Sequence, residues 1–202
     1  QADLIFEIKS EKTFLNIDLF ASYLQNYITS VKNPALKPRI ATSPGVRQFV
    51  NVENAFKTGF EVNWKLYLFY GIQQQAAVAY TYAKNTANNE PLPEIAPFEI
   101  RYSLTGKHLN DKLISEISLR HVLKQDRISV EYGEKETPSF TNLDFNISYK
   151  LFKYLNVATG VQNIFDVAYY EHLNRSISGS TTDYIFNRGR NFHFTLVIDI
   201  QQ

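Results

Sequence analysis

The chain has 202 residues, of which 44% are hydrophobic and 20% charged, with 13 Tyr, 15 Phe and one Trp; this is the composition of a folded chain and not of a disordered one. A net charge of +1 leaves no electrostatic footprint for nucleic acid, and the absence of Cys excludes a disulfide framework and any thiolate metal site. No apolar run approaches the roughly 18–20 residues of a membrane-spanning helix, but a barrel strand crosses in about 9–11 residues with only every second one apolar.

Taken in chain order, the predicted elements are strands. Residues 2–9 fit a first strand that ends in a short turn at Ser10–Lys12. Around 13–27, Leu15, Ile17, Leu19, Ala21 and Tyr23 form one face, with Phe20 and Leu24 out of place on the other. A long loop is expected over Thr29–Val46, stiffened by Pro34, Pro38 and Pro44 and exposed enough to touch a ligand. From Phe56, the set Phe56, Thr58, Phe60, Val62, Trp64 and Leu66 opposes Lys57, Gly59, Glu61, Asn63 and Lys65, and a short turn follows at Tyr67–Gly71. The segment 71–84 sets Ala76, Val78, Tyr80 and Tyr82 against Gln73, Gln75, Ala77 and Thr81, before a loop over Asn85–Pro97. Phe98, Ile100, Tyr102 and Leu104 alternate with Glu99, Arg101, Ser103 and Thr105, and a turn is expected at Leu109–Asp111. A strand over 112–124 leads into a loop over Gln125–Ser139. Leu143, Phe145, Ile147, Tyr149 and Leu151 alternate with Asn142, Asp144, Asn146, Ser148 and Lys150, up to a turn at Phe152–Lys153. After a strand over 154–165 and a loop over Asp166–Arg188, the final alternation sets Phe192, Phe194, Leu196, Ile198 and Ile200 against Asn191, His193, Thr195, Val197 and Asp199. No stretch carries a helical period.

The nine strands are joined alternately by tight turns and long loops, so one end of the sheet is all turns and the other all loops. That is the pattern of an outer-membrane barrel. Strands of about 12 residues exceed the usual 5–6 of globular sheets. Tyr67, Phe69, Tyr70, Phe152 and Tyr154 at the turn end, and Tyr23, Tyr27, Tyr82 and Phe98 near the loops, would serve as two interfacial girdles. The polar rows, carrying Lys57, Glu61, Glu99, Arg101, Glu116, Arg120, Asp144 and Lys150, would then line a hydrated lumen, with His193 among them and His108 at a turn.

Several segments resemble one family. Leu155-Asn156-Val157-Ala158-Thr159-Gly160-Val161-Gln162-Asn163-Ile164-Phe165-Asp166, followed by Tyr169-Tyr170-Glu171-His172-Leu173-Asn174-Arg175, resembles the penultimate strand and last loop of TonB-dependent receptors, and Gly189-Arg190-Asn191-Phe192 is similar to the start of their closing strand. Asn51-Val52-Glu53-Asn54-Ala55 with Gly59-Phe60-Glu61, the run from Pro91 to Pro97, and Thr137-Pro138-Ser139-Phe140-Thr141 match the same pattern upstream. The resemblance covers about 51–200 and thins before that. One departure is the end of the last strand, where the family usually has an aromatic and this chain has Ile200 followed by Gln201-Gln202.

The resemblance implies an all-β, antiparallel transmembrane β-barrel in which residues 1–202 form the last nine or so strands of a 22-stranded, plugged barrel. It implies, as partners, outer-membrane lipid, a plug domain of the same full-length chain, the TonB protein and a small nutrient ligand, in the outer membrane of a Gram-negative bacterium. The chain contains no Met, and it reads as a piece whose plug and TonB-contact segment lie before residue 1. The expected function is TonB-dependent uptake of a scarce nutrient, with an iron–siderophore or other metal chelate as the leading ligand.

Candidate ligand-contacting or lumen-lining residues are Glu171, His172, Arg175, Arg188, Arg101 and Arg120. Glu171-His172 could ligate a metal chelate, but two adjacent ligands without a third at a recognisable spacing favour a structural role. Arg188 and Arg190 could attract an anion, though anchoring the strand end is the simpler reading. Asp144 and Glu116 could approach across strands, as paired charges do in many barrels. No phosphate loop, nucleophile elbow or HExxH spacing is present, so no catalytic residue, cofactor or metal site is expected. Two alternatives remain from the residues alone: a small outer-membrane barrel enzyme such as a protease or lipase, and a soluble β-sandwich carbohydrate-binding module. A nine-strand piece should appear as an open sheet, or with its edges paired by another copy.

Overall fold

A computed structural model describes residues 1–41, 43, 45–174 and 184–199. Nine strands follow one another: β1 (Ala2–Lys9), β2 (Thr13–Lys32), β3 (Arg47–Tyr67), β4 (Ile72–Asn85), β5 (Glu99–His108), β6 (Leu113–Val122), β7 (Phe140–Phe152), β8 (Leu155–Gln162) and β9 (Asn191–Ile198). They form a single antiparallel meander in sequence order, and there is no helix among the described residues. The sheet is open: β1 pairs only with β2 and β9 only with β8. Among the described residues no second layer packs on it, which leaves a β-sandwich without support, and the unclosed sheet does not support a small complete barrel.

Because residues paired directly across antiparallel strands share a face, the register can be followed from edge to edge. One row runs Leu4, Leu19, Phe60, Tyr80 and on to Phe98, and a second runs Tyr102, Leu119, Leu143. Near the last edge Tyr149, Val157 and Leu196 are opposite one another, as are Val161 and Phe192. These outward side chains stay open: Phe192 and Phe194 are 72% and 69% exposed. The intervening rows are polar. Asn16 lies opposite Asn63, Gln75 opposite Ser103, Thr105 opposite Glu116, and Asn146 opposite Gly160. Few residues are buried at all, and the small cluster of Ala55, Ala83 and Leu92 lies at the loop end and not in a central core. An apolar face this wide needs a lipid or protein covering.

The structure differs from the sequence expectations in the reach of β2 and β3 and in the placing of Tyr27 and Tyr67, and it accounts for Phe20 and Leu24 on the face where the sequence put them. β2 and β3 run past the expected limits of 27 and 56, pairing as far as Lys32 with Arg47, so the loop between them shrinks to 33–46. Arg47 holds this extension by donating to the Ser30 hydroxyl and carbonyl. Phe20 and Leu24 sit properly on the inward side. Phe20 lies opposite Gly59, where a Cβ at residue 59 would come within 2.4 Å of its ring, so only glycine leaves room for an aromatic inside this wall. Leu24 packs on the Ala55 cluster. Tyr27 and Tyr67 drop out of the girdles. Asn26 has a φ of 55° and Tyr27 turns onto the same cluster, while Tyr67 falls on the inward row opposite Gln73. The remaining aromatics do gather: Phe60, Tyr80 and Phe98 form a trio with centroids 6.0–6.4 Å apart toward the loops, and Phe152 stacks on Tyr154 at the turns.

The two faces make opposite demands on a charge. In the full-length protein refolded into lipid vesicles, Ile117→Lys on an outward row is expected to cost about 2–4 kcal/mol of unfolding free energy. Ser118→Lys, one residue away on the inward face, is expected to stay within about 0.5 kcal/mol of wild type. Denaturant titration of both variants measures this, and equal costs would contradict the assignment of faces.

Candidate functional site at the loop end of the inward face

Four long connections rise from the same end of the sheet, and side chains tie them into one collar. The stem of the β6–β7 loop is closed by Gln125 and Thr137, whose backbones bond reciprocally at 3.0 and 3.1 Å. From this stem the loop crosses its neighbours. The buried Gln125 amide donates to the Ile95 carbonyl at 2.8 Å, and the Ser129 hydroxyl donates to the Glu90 carboxylate at 3.1 Å. Further on, Arg47 lies 4.0 Å over the Tyr132 ring and donates to its carbonyl, and the Lys32 amide donates to the Glu131 carbonyl. Gly133 has a φ of 87° and a Cβ there would come within 2.9 Å of the Lys32 ammonium, so the tip of the loop requires glycine. The β6–β7 loop therefore reaches over the β4–β5 loop to the extended β2–β3 hairpin.

Glu134 is the centre of this collar. Its carboxylate accepts the Glu94 amide at 2.5 Å from the β4–β5 loop and the Ser129 amide at 2.8 Å from its own loop. His172 of the β8–β9 loop stands beside it, its side chain 3% exposed, with Nε2 3.6 Å from the carboxylate and Nδ1 3.3 Å from the Thr137 hydroxyl. Burial pushes the Glu134 carboxyl up, but the adjoining His172 and the two amide donors outweigh it and hold the group below the ordinary carboxylate range. Nearby, the Glu90 carboxylate pushes that of Glu131 up.

Below the collar, on the inward face, Arg120 ties the wall to the last loop. It donates to both oxygens of Glu171 at 2.5 and 3.2 Å and to Glu99 at 2.7 Å, and it lies 5.3 Å from the Phe140 ring, on which Tyr169 stacks. Bidentate, charge-assisted pairing of this kind fixes both position and orientation. Arg101 also pairs with Glu99, but its own side chain is 64% exposed toward the lumen side. Arg101 and Arg120 border a recess of about 270 Å³ with Gln75, Ser103, Glu116 and Asp144.

The expected site residues thus separate. Glu171, His172 and Arg120 stand in the collar and its support, Arg120 paired with Glu171 and His172 turned to Glu134 and Thr137. Arg101 and Arg188 remain exposed, and Arg175 lies outside the described residues, as do Pro44 and Ile200. Arg190 anchors the start of β9 by donating to the Ile164 carbonyl at 2.8 Å, while its amide bonds Asp166 at 2.7 Å. Asp144 and Glu116 do not form a pair. Asp144 stands opposite Ser118 and accepts the Asn163 amide, and Glu116 accepts the Thr105 hydroxyl. Among the described residues no group of three or more His, Asp or Glu is placed to hold a metal ion. Sequence reading missed Glu134, Gln125, Tyr132 and Arg47, because loop residues that meet only through the fold have no periodic signal.

A family model described as TonB dependent receptor-like, beta-barrel, matches residues 3–164. No curated protein matches the sequence. Among solved structures, the chain is similar to the copper transporter OprC, with a TM-score of 0.85 and 23% identity over 97% of this chain and 30% of that one. It is similar to the FrpB iron transporter from Neisseria meningitidis (TM-score 0.69, 19% identity, 97% of this chain and 29% of that one). It is also similar to the ferric yersiniabactin uptake receptor FyuA from Yersinia pestis (TM-score 0.73, 14% identity, 98% of this chain and 29% of that one). At these identities the likeness concerns the fold, and the chain spans about 30% of the length of the structures it matches.

A carboxylate held below its ordinary value contributes stability that is fully present above the unfolded value, about 4.3, and is lost as pH falls through the lower folded value. Hydrogen exchange on the full-length protein should therefore find the Ser129 and Glu94 amides protected from neutral pH down past that value. Glu134→Gln should reduce their protection across the whole range and speed proteolysis of the loops. A Glu134→Gln collar that keeps both amides protected would contradict this assignment.

Proposed function

This chain belongs to the TonB-dependent receptor β-barrel family, and from that premise we propose that the whole protein is an outer-membrane receptor-transporter of a Gram-negative bacterium. Its cargo is a scarce nutrient, an iron–siderophore complex or another metal chelate. The observation that carries the reading is the two-faced meander. An open apolar face suits lipid, a polar face suits a wet lumen, and every long loop stands at one end. The metal-chelate cargo is supported by the copper, iron and ferric-yersiniabactin transport named for the structures it resembles.

In this reading residues 1–202 are the last nine strands of a larger barrel, whose other strands pair with β1 and β9. A plug domain of the same protein fills the lumen, and TonB couples it to the inner membrane. The collar presents the cargo to the lumen as a pre-formed mouth, which reduces the ordering cost of binding. Glu171, His172 and Arg120 hold that mouth in shape; the exposed Arg101 and Arg188 are its ligand-facing residues, and Arg175 is a further candidate by sequence. Mixed charge along the wall lets a solvated chelate pass without a deep electrostatic trap.

The test is uptake by cells carrying only this receptor, supplied with a panel of ferric and cupric chelates under metal starvation. Accumulation of at least one chelate is expected, and it should cease when the inner-membrane proton gradient is collapsed or TonB is removed. Arg101→Ala should weaken uptake with the barrel still assembled. Uptake that is indifferent to the gradient would overturn the proposal.

A further inference from the structure

Three loops meet at one carboxylate. Glu134 of the β6–β7 loop accepts the Glu94 amide from the β4–β5 loop at 2.5 Å and the Ser129 amide of its own loop at 2.8 Å. The His172 imidazole of the β8–β9 loop completes the junction, with Nε2 3.6 Å from the carboxylate. The two amides keep their protons at every ordinary pH. The imidazole does not, since a histidine in water changes charge near about 6.5. Of the four histidines, His172 alone stands in ion-pair contact with a carboxylate among the described residues. Its Nδ1 lies 3.3 Å from the Thr137 hydroxyl, and its Nε2 is buried without a hydrogen bond.

The other charges of the junction are committed elsewhere. Glu171, next to His172, is held by Arg120, whose charge is permanent, and Glu99 pairs with Arg120 and Arg101. The Glu94 carboxylate accepts the Tyr132 hydroxyl at 3.0 Å, Glu136 pairs with Lys124 at 2.5 Å, and Lys135 lies 5.9 Å from the Tyr184 ring. Glu90 accepts the Ser129 hydroxyl and the Glu131 amide, and it pushes the Glu131 carboxyl up. Glu134, held below the ordinary carboxylate range, stays charged while an imidazole beside it gains or loses a proton. A neutral ring has one N–H for two acceptors and meets the carboxylate only as a dipole. A charged ring offers an N–H to each and adds an ion pair that, being buried, is weakly screened. The added attraction is fully present where the imidazole is charged and is lost as pH rises and the ring becomes neutral.

We propose that His172 is a proton-operated latch, its charged form fastening the β8–β9 loop to the junction of the other two loops and its neutral form releasing it. The inference rests on the proposed function only in taking the collar for the mouth, and it holds whichever nutrient is carried. The pairing of Arg120 with Glu171 and the stacking of Tyr169 on Phe140 keep the root of the loop in place in both states. Only the contact between loops changes. Mild acid therefore tightens the mouth, and a neutral to alkaline medium loosens it.

Hydrogen exchange on the full-length receptor in bilayers tests this at about pH 5.5 and about pH 8, either side of the histidine range, with rates corrected for the intrinsic effect of pH. The Thr137 and Asn174 amides, bonded to the Gln125 and Glu171 carbonyls, should be about five-fold better protected in the acid sample. The Lys107 amide, bonded to the Gly71 carbonyl at the turn end, should not change. In H172Q the two loop amides should be equally protected at both pH values. Nitroxides at the exposed Val130 and Leu173 should give a narrower distance distribution in acid, a readout that leaves His172 in place. Wild-type protection indifferent to pH would overturn the proposal. So would an unchanged pH profile in H172Q, which assigns the effect to Glu131, or a distance distribution that does not narrow in acid.

Discussion

A backbone amide inside hydrocarbon has no water to bond, so each must find a partner on a neighbouring strand. That constraint shapes this chain more than any side-chain contact. It explains why nine strands pair strictly with their neighbours in sequence, with no crossover and no helix among the described residues. The side chains then have only to meet two solvents, and alternation along each strand suffices. A protein stabilised in this way needs no dense core, and the few buried side chains lie where strands give way to loops. At the free edges of β1 and β9 the same requirement calls for a further strand.

Much of this was legible in the residues because period-two alternation is a local property. Leu143 to Leu151 and Phe192 to Ile198 announce their faces without help from the rest of the chain, and the spacing of the turns follows. Failures came where another force overrode the alternation. Phe20 looked misplaced because its suitability depends on Gly59, which is 39 positions away in sequence and directly opposite in space. Asn26 reverses the direction of Tyr27 through a positive φ that asparagine tolerates and a hydrophobicity pattern does not register. The upper parts of β2 and β3 are polar and mixed, since they stand beyond the apolar belt. There pairing is kept by backbone bonds and by Arg47, and not by an oily face.

The collar was illegible for a different reason. Glu134, Glu94, Ser129 and His172 belong to three loops, and none announces its partner by spacing. The family resemblance drew the eye to Glu171 and His172, yet what binds them, Arg120 and Glu134, came from a strand and from another loop. The inward wall as a whole now reads as graded. Buried and paired charges hold the loops at one end, mixed charges line the middle, and lysines gather at the turns.

Everything functional depends on which rows meet lipid. Nitroxide labels placed singly at Asn142 to Ser148 of the full-length receptor in bilayers report this directly, through their collisions with oxygen and with a water-soluble nickel chelate. Labels at 143, 145 and 147 should favour oxygen and those at 142, 144, 146 and 148 the nickel reagent or neither, reversing at each residue. A profile without that reversal, or with the two sets exchanged, would contradict the account.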